Sequence, residues 1–180
     1  MIPNIQIDDV LQSRNFSATQ IRRVQVKSMF EWFKLATENL EDRKITLAIV
    51  AEGIDSQPEW VEYIKAHPKW IPQVHCWEHR NHKFMQYWEV TEHLKRAKYK
   101  IDETFNCNTT QFIPPRLYSS SATKEAARSV GLEEVRIRNK PKNYLFDKTV
   151  KSVFLHYWDP RDIKYVNKII KDLTEKKKEV

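Results

Sequence analysis

Short apolar runs of strand length alternate with longer segments of helical period along this chain, and that alternation constrains its fold more than any other feature. ITLAIV (45–50) is a continuous apolar run of the kind a fully buried parallel strand requires. IQID (5–8), WIPQVHC (70–76), TTQFIPP (109–115), LEEVRI (132–137) and KSVFLHY (151–157) read as further strands. Between them, TQIRRVQVKSMFEWFKLATENL (19–40) carries Ile21, Val24, Met29, Phe33 and Leu40 at helical spacing. PEWVEYIKAH opens with Pro58 in the first helical turn, where a missing N–H costs nothing. Residues 86–103 form a long amphipathic helix, and SATKEAARSVG is a capped helix with Gly131 just past its end. DPRDIKYVNKIIKDLTEKKK is the closing helix. Strands and helices in strict alternation predict a parallel α/β sheet or barrel. In such folds chemistry gathers at the C-terminal ends of the strands.

The 180 residues suffice for one domain, spanning 1–180, of which 175–180 read as a basic, frayed tail. Only two glycines occur, Gly53 and Gly131, which excludes the usual phosphate-cradling Gly-rich loop. No apolar run is long enough to span a membrane, and no secretion signal stands at the start, so a cytoplasmic setting is expected. Cys76 and Cys107 make no disulfide framework, which fits a reducing compartment. The net charge of +7 is spread over Arg22, Arg23, Arg136, Arg138, Lys140, Lys142 and the tail. A basic balance is compatible with an anionic polymer, but no helix-turn-helix, RNP-type sequence or zinc-finger spacing supports nucleic acid as the partner.

The expected strand ends carry an unusual set of side chains. Asp8 and Asp9 stand side by side after the first strand, where two like charges need a compensating partner. The third strand ends in HCWEH, which places His75 and His79 four residues apart, the fourth ends in IPPR, and the last brings His156. A carboxylate with two imidazoles suits a divalent transition metal with positions left open for water. Cys76 beside His75 is a soft donor, but strand neighbours face opposite sides, which makes it a buried thiol. His82 reads as a loop histidine, and Trp60 with the aromatic stripe at 30–33 as core. Glu52 and Asp55, after the second strand, either meet substrate hydroxyls or form a polar turn.

The ordered series IDD, HxxxH, PP and LxH resembles the polysaccharide deacetylase (NodB-homology, carbohydrate esterase family 4) domain, from Asp8 to His156. The resemblance implies a compact, distorted or incomplete (β/α) barrel. It also implies a hydrolase that removes N-acetyl groups from a sugar or related small amide. By resemblance Asp9, His75 and His79 hold one divalent metal, zinc foremost, with cobalt or nickel as other options. Asp8 matches the general base and His156 the general acid, while the backbone N–H of Arg116 would help hold the oxyanion. Trp77 and Trp158 either stack on a sugar ring or fill the core. The pattern departs from the family at three places: Ile113 stands where a base-orienting arginine is expected, Arg116 where a tyrosine is, and Val10 where a glycine follows DD. RNKPKNYLFDKT shows no counterpart of the family's tryptophan motif. Two other classes stay open: a non-catalytic carbohydrate- or polymer-binding domain that retains the metal site, and a metal-free basic nucleic-acid binder.

Overall fold

A computed structural model describes residues 3–12, 28–147 and 149–176, with side chains through residue 171. Six parallel strands follow the order β5-β4-β3-β2-β1-β6. They are β1 (Asn4–Val10), β2 (Ile45–Val50), β3 (Trp70–Cys76), β4 (Gln111–Phe112), β5 (Glu133–Glu134) and β6 (Ser152–His156). The helices are α1 (Met29–Thr37), α2 (Pro58–Lys65), α3 (Tyr87–Phe105), α4 (Ser121–Ser129), α5 (Pro141–Phe146) and α6 (Pro160–Lys176). β5 and β6 are the edges and do not pair with one another, so the sheet curls into an incomplete barrel. Residues 135–139 cross the gap: Val135 N–H donates to the Phe112 carbonyl and Phe154 N–H to the Asn139 carbonyl.

The strand alternation sorts the sequence onto two faces. Ile5 and Ile7 of β1, Ile45, Leu47 and Ile49 of β2, and Val153 and Leu155 of β6 join one apolar core beneath the helices. Phe33 of α1 stacks on Trp60 of α2 with centroids 4.7 Å apart and meets Tyr157 edge-on at 5.3 Å. The aromatic stripe is therefore core, as its spacing predicts. The opposite face points into the barrel and is polar: Gln6 and Asp8 of β1, Gln73 and His75 of β3, all buried.

Several boundaries differ from the sequence expectation. The fourth and fifth strands shrink to Gln111–Phe112 and Glu133–Glu134: β4 meets β3 in register only at Val74–Phe112, and β5, at the sheet edge, has only the two residues of β4 to pair with. RNKPKNYLFDKT holds a helix, α5, which starts at Pro141 and is capped by Asn143 Oδ1 accepting from Lys140 N–H at 2.8 Å. The helix expected over 19–40 is seen as α1 plus a 3₁₀ turn at Glu38–Leu40; its first part lies outside the described residues. Of the expected tail, residues through Lys176 are helical and the rest lie outside the described residues.

Candidate metal and acid–base site

The carboxylate pair at the end of β1 is shaped by a bulge. Ile7 pairs with Leu47 and Val10 with Ile49, so Asp8 and Asp9 together oppose the one intervening residue of β2. Asp9 adopts φ 62°, a left-handed backbone that Asp tolerates better than most side chains. A regular strand would turn the two side chains to opposite faces. With the bulge, both line one cavity of about 280 Å³ with His75, His79, Arg116, His156 and Trp158. Gly53 permits the adjoining turn, because a Cβ there would lie 1.9 Å from the Leu11 carbonyl oxygen.

Donor atoms of Asp9, His75 and His79 converge within 4.8 Å of one another. His79 Nε2 lies 3.0 Å and His75 Nε2 3.2 Å from the same Asp9 Oδ1. His75 Nδ1 sits 2.6 Å from the Ile113 carbonyl, which takes the Nδ1–H and turns Nε2 to the cavity. That buried Nε2, though near Asp9, finds no hydrogen-bond geometry. A buried ring nitrogen without a partner, beside a carboxylate and a second imidazole, is what a divalent cation's donor set looks like. Burial pushes the Asp9 carboxyl up, but the close contacts and charge of His75 and His79 outweigh it and hold the group well below the usual range.

Asp8 behaves differently. Burial raises its pKa to about 6, against the lowering effect of His75 and of a hydrogen bond from Gln6. Gln6 Nε2 donates to Asp8 Oδ1 at 2.6 Å. Gln6 thus orients the carboxylate, the task for which an arginine at 113 was expected; Ile113 itself is fully buried and contributes main-chain atoms. The signal for Gln6 was present in its i−2 position on the same strand face. Arg116 is exposed, with φ 57°, at the cavity rim and makes no ion pair with Asp8.

His156 pairs in register with Asp8 across β1 and β6. Its Nε2 lies 3.7 Å from Asp9 Oδ2, and its ring stacks on Trp158 at 4.6 Å. Trp158 also donates its indole N–H to Asp9 Oδ2 at 3.1 Å. Lys140 Nζ is 3.1 Å from His156 Nδ1 and 2.6 Å from Asp162 Oδ2, and Asp162 Oδ2 accepts the His156 N–H at 3.1 Å. An ammonium has no lone pair, so Nδ1 accepts and the ring proton sits on Nε2, facing the cavity. Burial above all lowers the His156 pKa; Asp9 opposes this and Lys140 adds to it. Lys140 and Asp162 were not legible as site residues, since nothing local to RNKPK or DPRD connects them to the last strand.

Trp77 does not join this cavity: its ring lies under the Arg96 guanidinium, 3.6 Å from the ring centroid, which leaves that face no room for a sugar. Asp55 ion-pairs with Lys100 at 2.5 Å, away from the site. Cys76 is fully buried, and burial pushes its thiol well up, as a core thiol requires. His82 is no exposed loop residue; it is fully buried and stacked on Phe112 at 5.6 Å. Among the described residues, no helix is long and apolar enough to cross a membrane.

The fold has close counterparts among solved structures. A carbohydrate esterase family 4 pseudoenzyme from Bacillus anthracis superposes with a TM-score of 0.71 at 16% identity, over 97% of this chain and 61% of that one. A family 4 carbohydrate esterase from Streptomyces lividans in complex with acetate gives 0.68 at 13%, over 97% and 88%. A peptidoglycan deacetylase from Bacillus subtilis gives 0.66 at 13%, over 97% and 84%. The chain thus spans about three fifths of the length of the first of these. No curated protein sequence matches it. The polysaccharide deacetylase family model matches residues 35–135, more than half of the chain. The chain belongs to the polysaccharide deacetylase family.

Proposed function

We propose that the protein is a metal-dependent hydrolase that removes N-acetyl groups from a carbohydrate or related small amide. The observation that carries this is the convergence of Asp9, His75 and His79 donor atoms beside Asp8 and His156 in one cavity. Asp9, His75 through Nε2 and His79 through Nε2 would hold a divalent ion, zinc foremost. Such an ion, when bound, supplies a water of pKa near ~7 and positive charge for a developing oxyanion.

The chain's own groups supply the proton traffic. Asp8, fixed by Gln6, takes the proton of the attacking water as the carbonyl carbon is approached. The Arg116 backbone at the rim offers an N–H to the developing oxyanion. His156 gives its Nε2 proton to the departing amine, while Nδ1 takes a proton from the Lys140 ammonium behind it. Asp162, which contacts both Lys140 and the His156 backbone, keeps this relay in place. Trp158 excludes water from one side and fixes the second oxygen of Asp9.

A second reading rests on Ile113. If the Gln6 bond does not replace the missing arginine, the domain binds metal and carbohydrate without turnover, as a pseudoenzyme would. Elemental analysis of wild type, Asp9→Ala and His79→Ala, with acetate release from N-acetylglucosamine oligomers, separates the two. One ion per chain in wild type alone, with acetate released, supports the enzyme. Metal without acetate supports the binding domain, and failure to take up zinc, cobalt or nickel overturns both. With two free cysteines, we place the protein in a reducing, cytoplasmic setting, which cell fractionation would check.

A further inference from the structure

The barrel interior opens at its other end into a larger cleft, of about 820 Å³, within the usual range for small-molecule sites. It is bordered by the first or second residues of the strands, Asn4, Thr46, Ile71, Gln111 and Ser152, so it lies opposite the metal cavity. Among the described residues, no carboxylate lines it, whereas Lys44, Arg136, Arg138 and Lys151 do. Arg136 is committed to Glu134 and Ser119. Lys44, Arg138 and Lys151 are exposed and make no ion pair with any described residue. Three cations around one concavity, with no described carboxylate beside them, focus a positive potential into it.

Charge alone would mark only a basic patch. The second observation is Gln6, which is 1% exposed and borders this cleft but not the metal cavity. Its Nε2 is spent on Asp8, and its Oε1 has no hydrogen-bond partner among the described residues. A buried amide oxygen left unpaired carries a desolvation cost, which a donor entering from the cleft would offset. Anion-seeking rim and donor-seeking floor together define a ligand with both kinds of group.

We infer that this basal cleft is a second binding site, for a small phosphorylated polyol such as a sugar phosphate. The phosphate meets Lys44, Arg138 and Lys151, and a hydroxyl donates to Gln6 Oε1. The site lies apart from the metal cluster and takes no part in the reaction proposed for it; Gln6 joins the two ends, holding Asp8 through Nε2 and leaving Oε1 to the cleft.

The test is calorimetry with glucose 6-phosphate, inorganic phosphate and glucose as probes, paired with amide NMR of the Gln6 side chain. One glucose 6-phosphate should bind per chain, at least tenfold more tightly than either fragment, and shift the Gln6 side-chain signals. The K44Q/R138Q/K151Q variant, altered only at exposed positions, should lose at least tenfold in affinity with its melting curve unchanged. Asp9→Ala should bind as wild type does. Should the triple variant fail to fold, Arg138→Gln and Lys151→Gln singly must each weaken binding. Absence of heat and shift up to about 10 mM overturns the inference. Binding lost in Asp9→Ala but kept in the triple variant also overturns it, by placing the anion at the metal cluster. So does equal binding of inorganic phosphate and glucose 6-phosphate, which would reduce the cleft to general charge attraction.

Discussion

Along β1, Ile5 and Ile7 face the helices while Gln6 and Asp8 face the barrel interior, and all four are buried to nearly the same degree. The outer pair joins the apolar core; the inner pair forms a hydrogen-bonded step from the basal cleft to the metal cavity. β3 repeats the pattern, with Val74 in the core and Gln73 and His75 inside. Equal burial therefore serves two ends. Outside, it removes apolar area from water and stabilises the fold. Inside, it lowers the local dielectric, which strengthens every charged contact and shifts proton affinities.

Substitutions on the two faces should separate stability from chemistry. The largest expected effect is Asp8→Asn, which should cut acetate release ~1,000-fold while one metal ion per chain remains by elemental analysis. On the outer face, Leu47→Ala should cost about 3 kcal/mol in urea unfolding and leave metal content unchanged. If Leu47→Ala emptied the metal site instead, the two faces would not be separable. Gln6→Leu tests whether the inner step matters: loss of a charge-assisted bond worth about 2 kcal/mol should lower kcat by roughly 30-fold with KM little changed. An unchanged kcat would mean Asp8 needs no orienting group.

The smallest effect, taken per pH unit, concerns acid. His82 is buried with neither ring nitrogen partnered among the described residues, and burial first, then the charge of His75, His93 and His79, lowers its pKa from 6.5 to about 3. The unfolded chain then binds a proton that the folded one refuses between those values. Its contribution is fully present above pH 6.5 and is lost as pH falls toward about 3, by ~1.4 kcal/mol per unit. His82→Phe, which keeps the stacking on Phe112, should flatten the acid limb of the stability curve relative to wild type. Identical acid limbs in the two proteins would show that His82 does not contribute.

How much of this was legible beforehand differs by element. β2 and β3 were readable to the residue, because runs of six and seven residues have strand length and are too short for a typical helix. β4 and β5 were overestimated, since strand length depends on the neighbour available for pairing and not on local propensity. α5 was missed because its six residues carry too little period to register. Asp8, Asp9, His75, His79, Arg116 and His156 were named from strand ends and motif order and Trp158 for its ring, and the fold brings all seven to one cavity. Trp77, named on the same ground as Trp158, lies outside that cavity under Arg96.

The sequence by itself determined the parallel α/β alternation, the apolar face of each long strand and the residue types that a metal and proton-transfer site needs. Those depend on period and chemistry within a few residues, which a single chain carries openly. Only the tertiary structure decided that a bulge turns both carboxylates inward, that Gln6 holds Asp8, that Lys140 sets the tautomer of His156, and that three cations ring the opposite end of the barrel. Each is a relation between a side chain and a strand, loop or backbone position that the local residue pattern leaves undetermined. It forms only when the strands settle into register, so its energy is absent from any local pattern.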